Sequence, residues 1–128
     1  MDNSSPSAQQ GGGTLMRDLT WSYAEKVIAR EAFRRALERE FREVITKTKE
    51  MAKNIEQPAD LWELEGYLTD SRKDVDRRYD YRYSVLPLVF GDLVRQGRLS
   101  MEELSGLRED KLKAIRSYVR LFDDVDAA

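Results

Sequence analysis

The chain has 128 residues, 36% of them charged, and its formal net charge is only −2. This length suits one domain, and the small net charge argues against binding nucleic acid mainly through phosphate neutralisation, which usually needs a basic face. The chain has no histidine and no cysteine, so the usual zinc ligands, disulfides, thiolate nucleophiles and neutral-pH general base are missing. No metal site is expected, and an enzyme would depend on carboxylates, lysine or tyrosine.

The two ends of the chain differ from its centre in composition. Residues 1–14 are polar and rich in glycine and serine, and such segments bury too little apolar surface to offset the entropy of ordering, so we expect a disordered tail over residues 1–18. Residues 123–128 are expected to be an acidic tail that frays. The folded domain should cover residues 19–122. No window approaches the length of about 18 apolar residues that a membrane span needs, and no signal peptide is recognisable at the start, so we expect a soluble cytoplasmic protein.

The first predicted element is one long helix from Trp21 to Ile55. Its apolar residues recur at steps of three and four, which is the period of one helix face. This predicted stripe comprises Phe33, Leu37, Phe41, Val44, Ile45, Met51, Ala52 and Ile55. Gln57 and Pro58 interrupt the pattern, because proline disfavours helical angles in the residue before it and fits best in a first helical turn. A second, antiparallel helix is therefore predicted to begin at about Pro58.

The second helix is predicted to carry an apolar stripe of Leu61, Leu64, Leu68, Val75 and Tyr79, and to end at a joint formed by residues 81–83. A third helix should run from Val85 to Gln96, with Ser84 as its N-cap, Pro87 in its first turn and Gly97 as its C-terminal stop. This short helix is nearly all apolar. We therefore expect it to be almost fully enclosed.

The remaining elements are a capping box and a final helix. Ser100 and Glu103 have the spacing of a capping box, and a last amphipathic helix is predicted from about Glu109 to Phe122. No alternation typical of strands occurs. The sequence predicts an all-α protein of four to five helices, with a long amphipathic helical hairpin and a small C-terminal helical head.

Two local patterns allow other interpretations. Residues 96–118 combine a short helix, a glycine turn and a basic helix with Lys111, which could form a helix-turn-helix DNA-binding motif, but neighbouring carboxylates would repel phosphate. Residues 79–83 bring three tyrosines together with Arg82. This cluster could stack nucleotides, but we favour a structural joint whose hydroxyls and guanidinium satisfy backbone groups at the helix ends.

The segment DLWELEGYLTDSRKDVDRRYDYRYSVLPLVFGDLVRQG, residues 60–97, closely resembles the fluorescence recovery protein family of cyanobacterial photoprotection. The resemblance implies a non-enzymatic, cytoplasmic, all-helical homodimer without a cofactor, with no nucleic-acid partner and no membrane insertion. It also implies binding to photoactivated orange carotenoid protein, faster return of that protein to its resting form, and its detachment from the phycobilisome, which ends non-photochemical quenching. Association with the phycobilisome, and with the cytoplasmic face of thylakoids, would be indirect, through the partner.

The resemblance also implies particular contact residues, with Trp62 and Arg72 in the leading role. The expected partner-binding set is Trp62, Glu65, Gly66, Thr69, Arg72 and Leu88, and the expected dimer interface is Phe41, Val44, Ile45, Leu61 and Trp62. Glu65 and Gly66 stand where well-known members have a His-Asp pair, and Leu88 replaces an aromatic residue. These differences change the charge pattern that a partner would meet. They leave open the alternative of a divergent member acting as a dimeric helical adaptor for a different protein.

Overall fold

The computed structural model describes residues 19–127, with side-chain surroundings up to residue 123. It contains the helices α1 (Tyr23–Lys53), α2 (Pro58–Arg78), α3 (Leu86–Arg95) and α4 (Glu109–Ala127), and a short 3-10 helix, Glu102–Leu104, before α4. No strand occurs within this part of the chain. Helices α1 and α2 pack together as a hairpin, while α3 and α4 pack on each other as a head that also contacts α1 through the 3-10 helix. The predicted all-α hairpin and head are confirmed.

Local sequence signals account for the starts of α1 and α2. Ser22 and Glu25 form a capping box at the start of α1, in which each side chain bonds the other residue's backbone N–H, at 3.1 and 3.0 Å. Pro58 occupies the first turn of α2, as predicted. Asp60 accepts hydrogen bonds from the N–H groups of Glu56 and Gln57, both at 3.0 Å. These bonds satisfy donors that a helix N-terminus leaves free.

The buried face of α1 differs from the predicted stripe. Its fully buried apolar residues are Ala29, Ala32 and Ala36, whereas Phe41 and Ile45 are exposed. Alanine loses no side-chain entropy in a helix, and its small side chain allows the head to lie close to the α1 backbone. The period of the apolar residues predicted the helix but not which of its faces the head covers, because a period alone does not say which of two adjoining faces meets a neighbour.

Helix α3 is almost enclosed, as predicted. Leu86, Phe90 and Leu93 have no exposed surface, and Pro87 lies in the first turn. The predicted Ser84 cap is wrong: Val85 is the N-cap residue, and no side chain caps the helix. The backbone supplies the bonds instead, since the N–H groups of Val85 and Leu86 both donate to the Arg82 carbonyl.

A glycine in the left-handed conformation ends α3, and a capping box begins the next segment. Gly97 adopts a φ of 78°, a left-handed conformation that glycine takes without the cost other residues incur. It is therefore the predicted C-terminal stop. The capping box predicted at Ser100 and Glu103 is also present, with reciprocal backbone bonds of 3.0 and 3.2 Å. The last helix begins at Glu109 as predicted but continues past Phe122 to Ala127.

The joint after α2 is built from packed rings rather than from satisfied hydroxyls. Phe33 of α1 meets Tyr79 and Tyr81 edge-on at centroid distances of 5.4 and 4.8 Å, and Tyr81 in turn meets Tyr83. The hydroxyls of Tyr79 and Tyr81 are buried and bond no backbone group. Burial and the neighbouring Tyr83 raise the pKa of Tyr81 to about 12. The structural interpretation of the tyrosines holds, but the expected hydroxyl–backbone bonds do not form.

Arg82 was also expected to bond backbone groups at the joint. It pairs instead with the Asp80 carboxylate at 2.6 Å, at the protein surface. A second arginine, Arg78, fixes the end of α2 on α1 through the buried Glu40 carboxylate, at 2.5 Å. The Glu40 carboxylate also lies 3.4 Å from the Arg98 guanidinium in the turn after α3. Glu40 thus joins the hairpin to the start of the head.

A buried ion pair holds the head against the start of α1. The Lys111 ammonium of α4 donates to the Glu25 carboxylate at 3.0 Å, and both side chains are essentially inaccessible. Burial by itself would raise the pKa of Glu25, but the N–H groups of Ser22 and Arg108 and the Lys111 ammonium outweigh burial and lower that pKa. The carboxylate is therefore fully partnered and stays charged.

Candidate functional site

Helix α2 presents a solvent-facing surface that contains most of the predicted partner-binding residues. None of its residues is buried. At about 100° of rotation per residue, Trp62, Glu65, Thr69 and Arg72 fall within about 80° of the helix circumference. All four are exposed. We call these residues, together with Gly66, the α2 face. The structure therefore brings five of the six predicted contact residues onto one surface.

The α2 face combines an exposed aromatic ring, that of Trp62, with an arginine side chain, that of Arg72, which pairs with no carboxylate of the described residues. Trp62 is 65% exposed. Arg72 makes no ion pair or hydrogen bond with any residue from 19 to 123, so a bridge to Asp76 is not formed. The Thr69 hydroxyl donates to the Glu65 carboxylate at 3.0 Å. A free guanidinium can bind a carboxylate in a planar, two-pronged way, and an exposed tryptophan offers a large apolar contact area.

Gly66 leaves a gap in the α2 face. A Cβ atom placed on it would meet nothing within 4 Å. No residue of the described chain therefore requires a glycine here for packing. The helix itself would be more stable with alanine. The gap lies beside Trp62 and would let another backbone approach α2 closely.

A second exposed apolar area lies on α1. Phe41 is 46% and Ile45 53% exposed, and both line a shallow groove together with Leu37. Leu61 is also exposed at the other end of the hairpin, whereas Val44 is half-buried. Phe41 lies 12 residues before the end of α1, which is about 18 Å along the helix. The predicted interface residues thus form two areas, one in the middle of α1 and one near the hairpin turn.

The structure separates Leu88 from the rest of the predicted contact set. Leu88 belongs to the head, where it is 36% exposed. Trp62 lies 16 residues before Arg78, the end of α2, or about 24 Å along the helix. Leu88 borders a groove between α3 and α4, which we call the head groove. Its lining residues are Leu88, Asp110, Lys113, Ala114, Ser117, Tyr118 and Leu121.

The head groove contains residues that the sequence analysis did not single out. Leu121 is 59% exposed and lies outside the stripe formed by Leu112, Ile115, Val119 and Phe122. A large apolar residue off the buried stripe was the one signal in the sequence that could have indicated this surface. Tyr118 gave no such signal, because it sits where either burial or exposure is compatible with the helical period.

The structure weakens the DNA-binding interpretation of the C-terminal segment. Lys111 is buried in its ion pair with Glu25 and cannot contact phosphate. Arg116 pairs with Glu109 on the surface of α4. Fewer basic side chains are therefore available to contact phosphate than the sequence indicated.

Within residues 19–127, each helix is too short or too polar to cross a membrane.

Comparisons with known proteins point to one family. The model of the family described as "Photoprotection regulator fluorescence recovery protein" matches residues 21–119. The Fluorescence recovery protein of Synechocystis sp. strain PCC 6803 is 38% identical over 101 residues, covering 79% of this chain and 93% of the relative. The structure of the Fremyella diplosiphon Fluorescence Recovery Protein matches with a TM-score of 0.76 and 42% identity, over 79% of this chain and 99% of that one. The Synechocystis structure matches with the same TM-score and coverage at 37% identity.

Proposed function

Because this chain belongs to the photoprotection regulator fluorescence recovery protein family, we propose that it binds photoactivated orange carotenoid protein and accelerates its return to the resting orange form. In this proposal the chain also promotes detachment of that protein from the phycobilisome, which ends non-photochemical quenching. It acts in the cytoplasm without enzymatic activity, cofactor, nucleic acid or membrane insertion. Its association with the phycobilisome is indirect, through the carotenoid protein.

The observation that carries this proposal is the α2 face. Its exposed Trp62 and unpaired Arg72 have the side chains that most often dominate protein–protein binding energy. Because α2 buries none of its residues, these side chains contribute little to holding the monomer together. A surface of this kind is better explained by a partner than by folding.

The mechanism we propose is differential binding. A protein that binds one conformation of its partner more tightly shifts the partner's equilibrium towards that conformation by its difference in affinity. The α2 face would hold the carotenoid protein in a conformation nearer its resting state. No bond needs to be formed or broken by this chain. The fixed geometry of a helix suits this task, because the contact residues are positioned before binding.

The test is the dark recovery of illuminated carotenoid protein, followed by its red-to-orange colour change. Substoichiometric wild-type protein should accelerate recovery. The variant Trp62→Ala/Arg72→Ala should lose most of this effect: truncating one interface hot spot costs at least about 2 kcal/mol, or about 30-fold in affinity. Circular dichroism should show that its helicity is retained, and light scattering separates loss of the partner contact from loss of the dimer, because Trp62 belongs to both expected sets.

A matched control lies on the same helix. Arg77→Ala removes an exposed arginine five residues beyond Arg72, about 140° around the helix from Arg72 and about 16 Å along the axis from Gly66, outside the α2 face. This variant should accelerate recovery like the wild type. Normal recovery with the Trp62/Arg72 variant would remove the α2 face from the proposal. A wild-type protein that forms dimers yet leaves recovery unchanged would favour the adaptor alternative, with a different protein as partner.

We also propose that the chain forms a homodimer along the hairpin. Phe41 and Ile45 expose apolar surface in the middle of α1, and Leu61 and Trp62 expose more near the turn. In a two-fold symmetric dimer, the middle of α1 in each copy would contact the hairpin turn of the other copy. The same contact then occurs twice, as a self-complementary interface requires. The half-buried Val44 would be covered in the same contact.

The dimer proposal is tested by introducing one charge. Ile45→Glu should shift the protein from dimer to monomer in light scattering at low micromolar concentration, because it would bury an unpaired carboxylate. Thr46→Glu adds the same charge one residue further, about 100° away on α1, and should leave the mass unchanged. A dimer that survives Ile45→Glu would place the interface elsewhere.

A further inference from the structure

The head groove is an open surface channel with two chemically different ends. It encloses about 560 Å³. Asp110 and Lys113 supply opposite charges at its start, while Leu88, Tyr118 and Leu121 supply apolar and aromatic surface further along. Leu121 is the most exposed of these apolar residues in the part of the chain described, at 59%. Large apolar side chains left exposed in one groove indicate a surface that something covers.

The chain itself arrives at the charged end of this groove. The Lys111 ammonium donates to the carbonyl oxygen of Thr20, and the same ammonium lies 3.2 Å from the Asp110 carboxylate. The Thr20 carbonyl and the Asp110 carboxylate therefore both contact the Lys111 ammonium. Leu19, the first residue that the structure describes, is half-buried. The preceding 18 residues thus begin within a few ångströms of the groove.

The sequence just before Leu19 matches the groove in both length and chemistry. Leu15 and Met16 are the large apolar residues between Asp2 and Asp18, and Arg17 and Asp18 follow them. Asp110 and Leu121 are 11 residues apart on α4, about 16 Å. Five extended residues span about 17 Å, so residues 14–18 can reach from the charged end to Leu121.

We propose that residues 14–18 of this chain dock reversibly in the head groove. Leu15 and Met16 lie against the apolar end, at Leu88 and Leu121. Arg17 and Asp18 lie at the other end, opposite the carboxylate of Asp110 and the ammonium of Lys113. The polar residues before them gain nothing from this contact. The occupant of the groove is therefore the chain's own N-terminal segment.

This docking has a consequence for binding. Leu88 belongs to the expected partner-binding set, so a docked segment would compete with the partner at the head groove. A groove occupied half of the time lowers the apparent affinity of a competing partner about two-fold. The docking stands independently of the proposed function, whereas its inhibitory effect rests on that function.

The docking is tested in the full chain with a nitroxide label. The chain has no cysteine, so Gly12→Cys gives a single attachment site just before the docked segment. We expect the label to broaden the methyl NMR signals of Leu88 and Leu121 more than that of Ile45 on α1. Adding Leu15→Ser/Met16→Ser should abolish this selective broadening. These changes lie outside the described fold and leave the groove itself intact.

Two results would overturn the docking. One is equal broadening at the head groove with and without the serine substitutions. The other is the same selective broadening when nitroxide-labelled chains without isotopes are mixed with isotope-labelled chains without a nitroxide, because a second copy would then be the occupant. Recovery of the carotenoid protein is a separate assay: the serine variant should act at about half the wild-type concentration. Selective broadening without this gain would retain the docking and reject its inhibitory effect.

Discussion

The buried Glu25–Lys111 pair provides a quantitative test of how the head is held on the hairpin. Glu25→Gln keeps the side-chain shape but leaves the Lys111 ammonium without its buried carboxylate. Removing one partner of a buried ion pair typically costs about 3 to 5 kcal/mol. The Asp110 carboxylate remains 3.2 Å from the ammonium, and so we expect the lower end, about 3 kcal/mol. That is a large share of the roughly 5 to 15 kcal/mol that stabilise a typical domain.

The reciprocal variant should cost less. Lys111→Met removes the ammonium, but the Glu25 carboxylate still accepts hydrogen bonds from the N–H groups of Ser22 and Arg108, at 3.0 and 2.8 Å. We expect a loss of about 1 to 3 kcal/mol, the cost of leaving a buried polar group partly unsatisfied. The double variant should lose less than the sum of the two single variants, because the second change removes a partner that is already lost.

The pH dependence gives an independent check of the same pair. The pKa of Glu25 is lowered in the folded protein, so its charged form stabilises the fold at pH values above the ordinary carboxyl pKa of about 4.3. This contribution falls as the pH drops through the lowered pKa. The difference in unfolding free energy between wild type and Glu25→Gln should therefore be full at neutral pH and shrink in acid.

Urea unfolding followed by circular dichroism measures these quantities, at one fixed protein concentration because a dimer links stability to concentration. The reasoning would be refuted by a Glu25→Gln loss below about 1 kcal/mol, the range of exposed ion pairs. It would equally be refuted by strictly additive single and double variants, or by a difference between wild type and variant that grows as the pH falls.

Three further substitutions test other parts of the structure. Gly66→Ala should raise stability by up to about 1 kcal/mol while slowing recovery of the carotenoid protein; unchanged recovery in the colour assay would remove Gly66 from the contact set. Gly91→Ala would place a Cβ atom 2.6 Å from the Tyr118 ring, and thermal unfolding should show a loss of about 1 to 3 kcal/mol. Arg39→Ala breaks the two hydrogen bonds from the Arg39 guanidinium to the Glu103 carboxylate, which lower the pKa of Glu103 to about 2. The loss of stability in Arg39→Ala, about 1 kcal/mol at neutral pH, should shrink in acid, where Glu103 is protonated in both variants and only the bond from Arg39 to the Arg98 carbonyl remains to be lost.

Local sequence signals predicted the secondary structure well because they act within a few residues. Pro58 and Pro87 mark first helical turns, and Gly97 takes a positive φ, as expected. The Ser84 cap failed because its role depended on how the chain entered α3, which the packed tyrosines of the joint decide. The end of α4 was placed too early, at Phe122, because the mostly acidic residues beyond it hardly continue the apolar period, although no glycine or proline stops the helix there.

The expected contact residues remain a prediction, and the structure adds only how they are arranged. The resemblance supplied Trp62, Glu65, Thr69 and Arg72 as contacts, and the helical period of α2 brings them onto one exposed face. The position of Leu88 on a separate groove could not be foreseen, because it depends on how the head folds onto α1. The sequence also did not determine that Arg72 lacks an ion pair, because a carboxylate four residues away on a helix does not have to pair with it.

The sequence by itself determined the helices, their order and the family, because proline, glycine, capping residues and the period of apolar residues act locally and survive in any arrangement of the helices. Only the tertiary structure decided that alanines form the buried face of α1, that Lys111 is enclosed by Glu25, and that the head groove opens beside the start of the described chain. The bonds from Arg108 and Lys111 to Glu25, for example, join residues more than 80 positions apart. Such contacts are set by which faces of the helices fit together, and periodicity alone does not encode that choice.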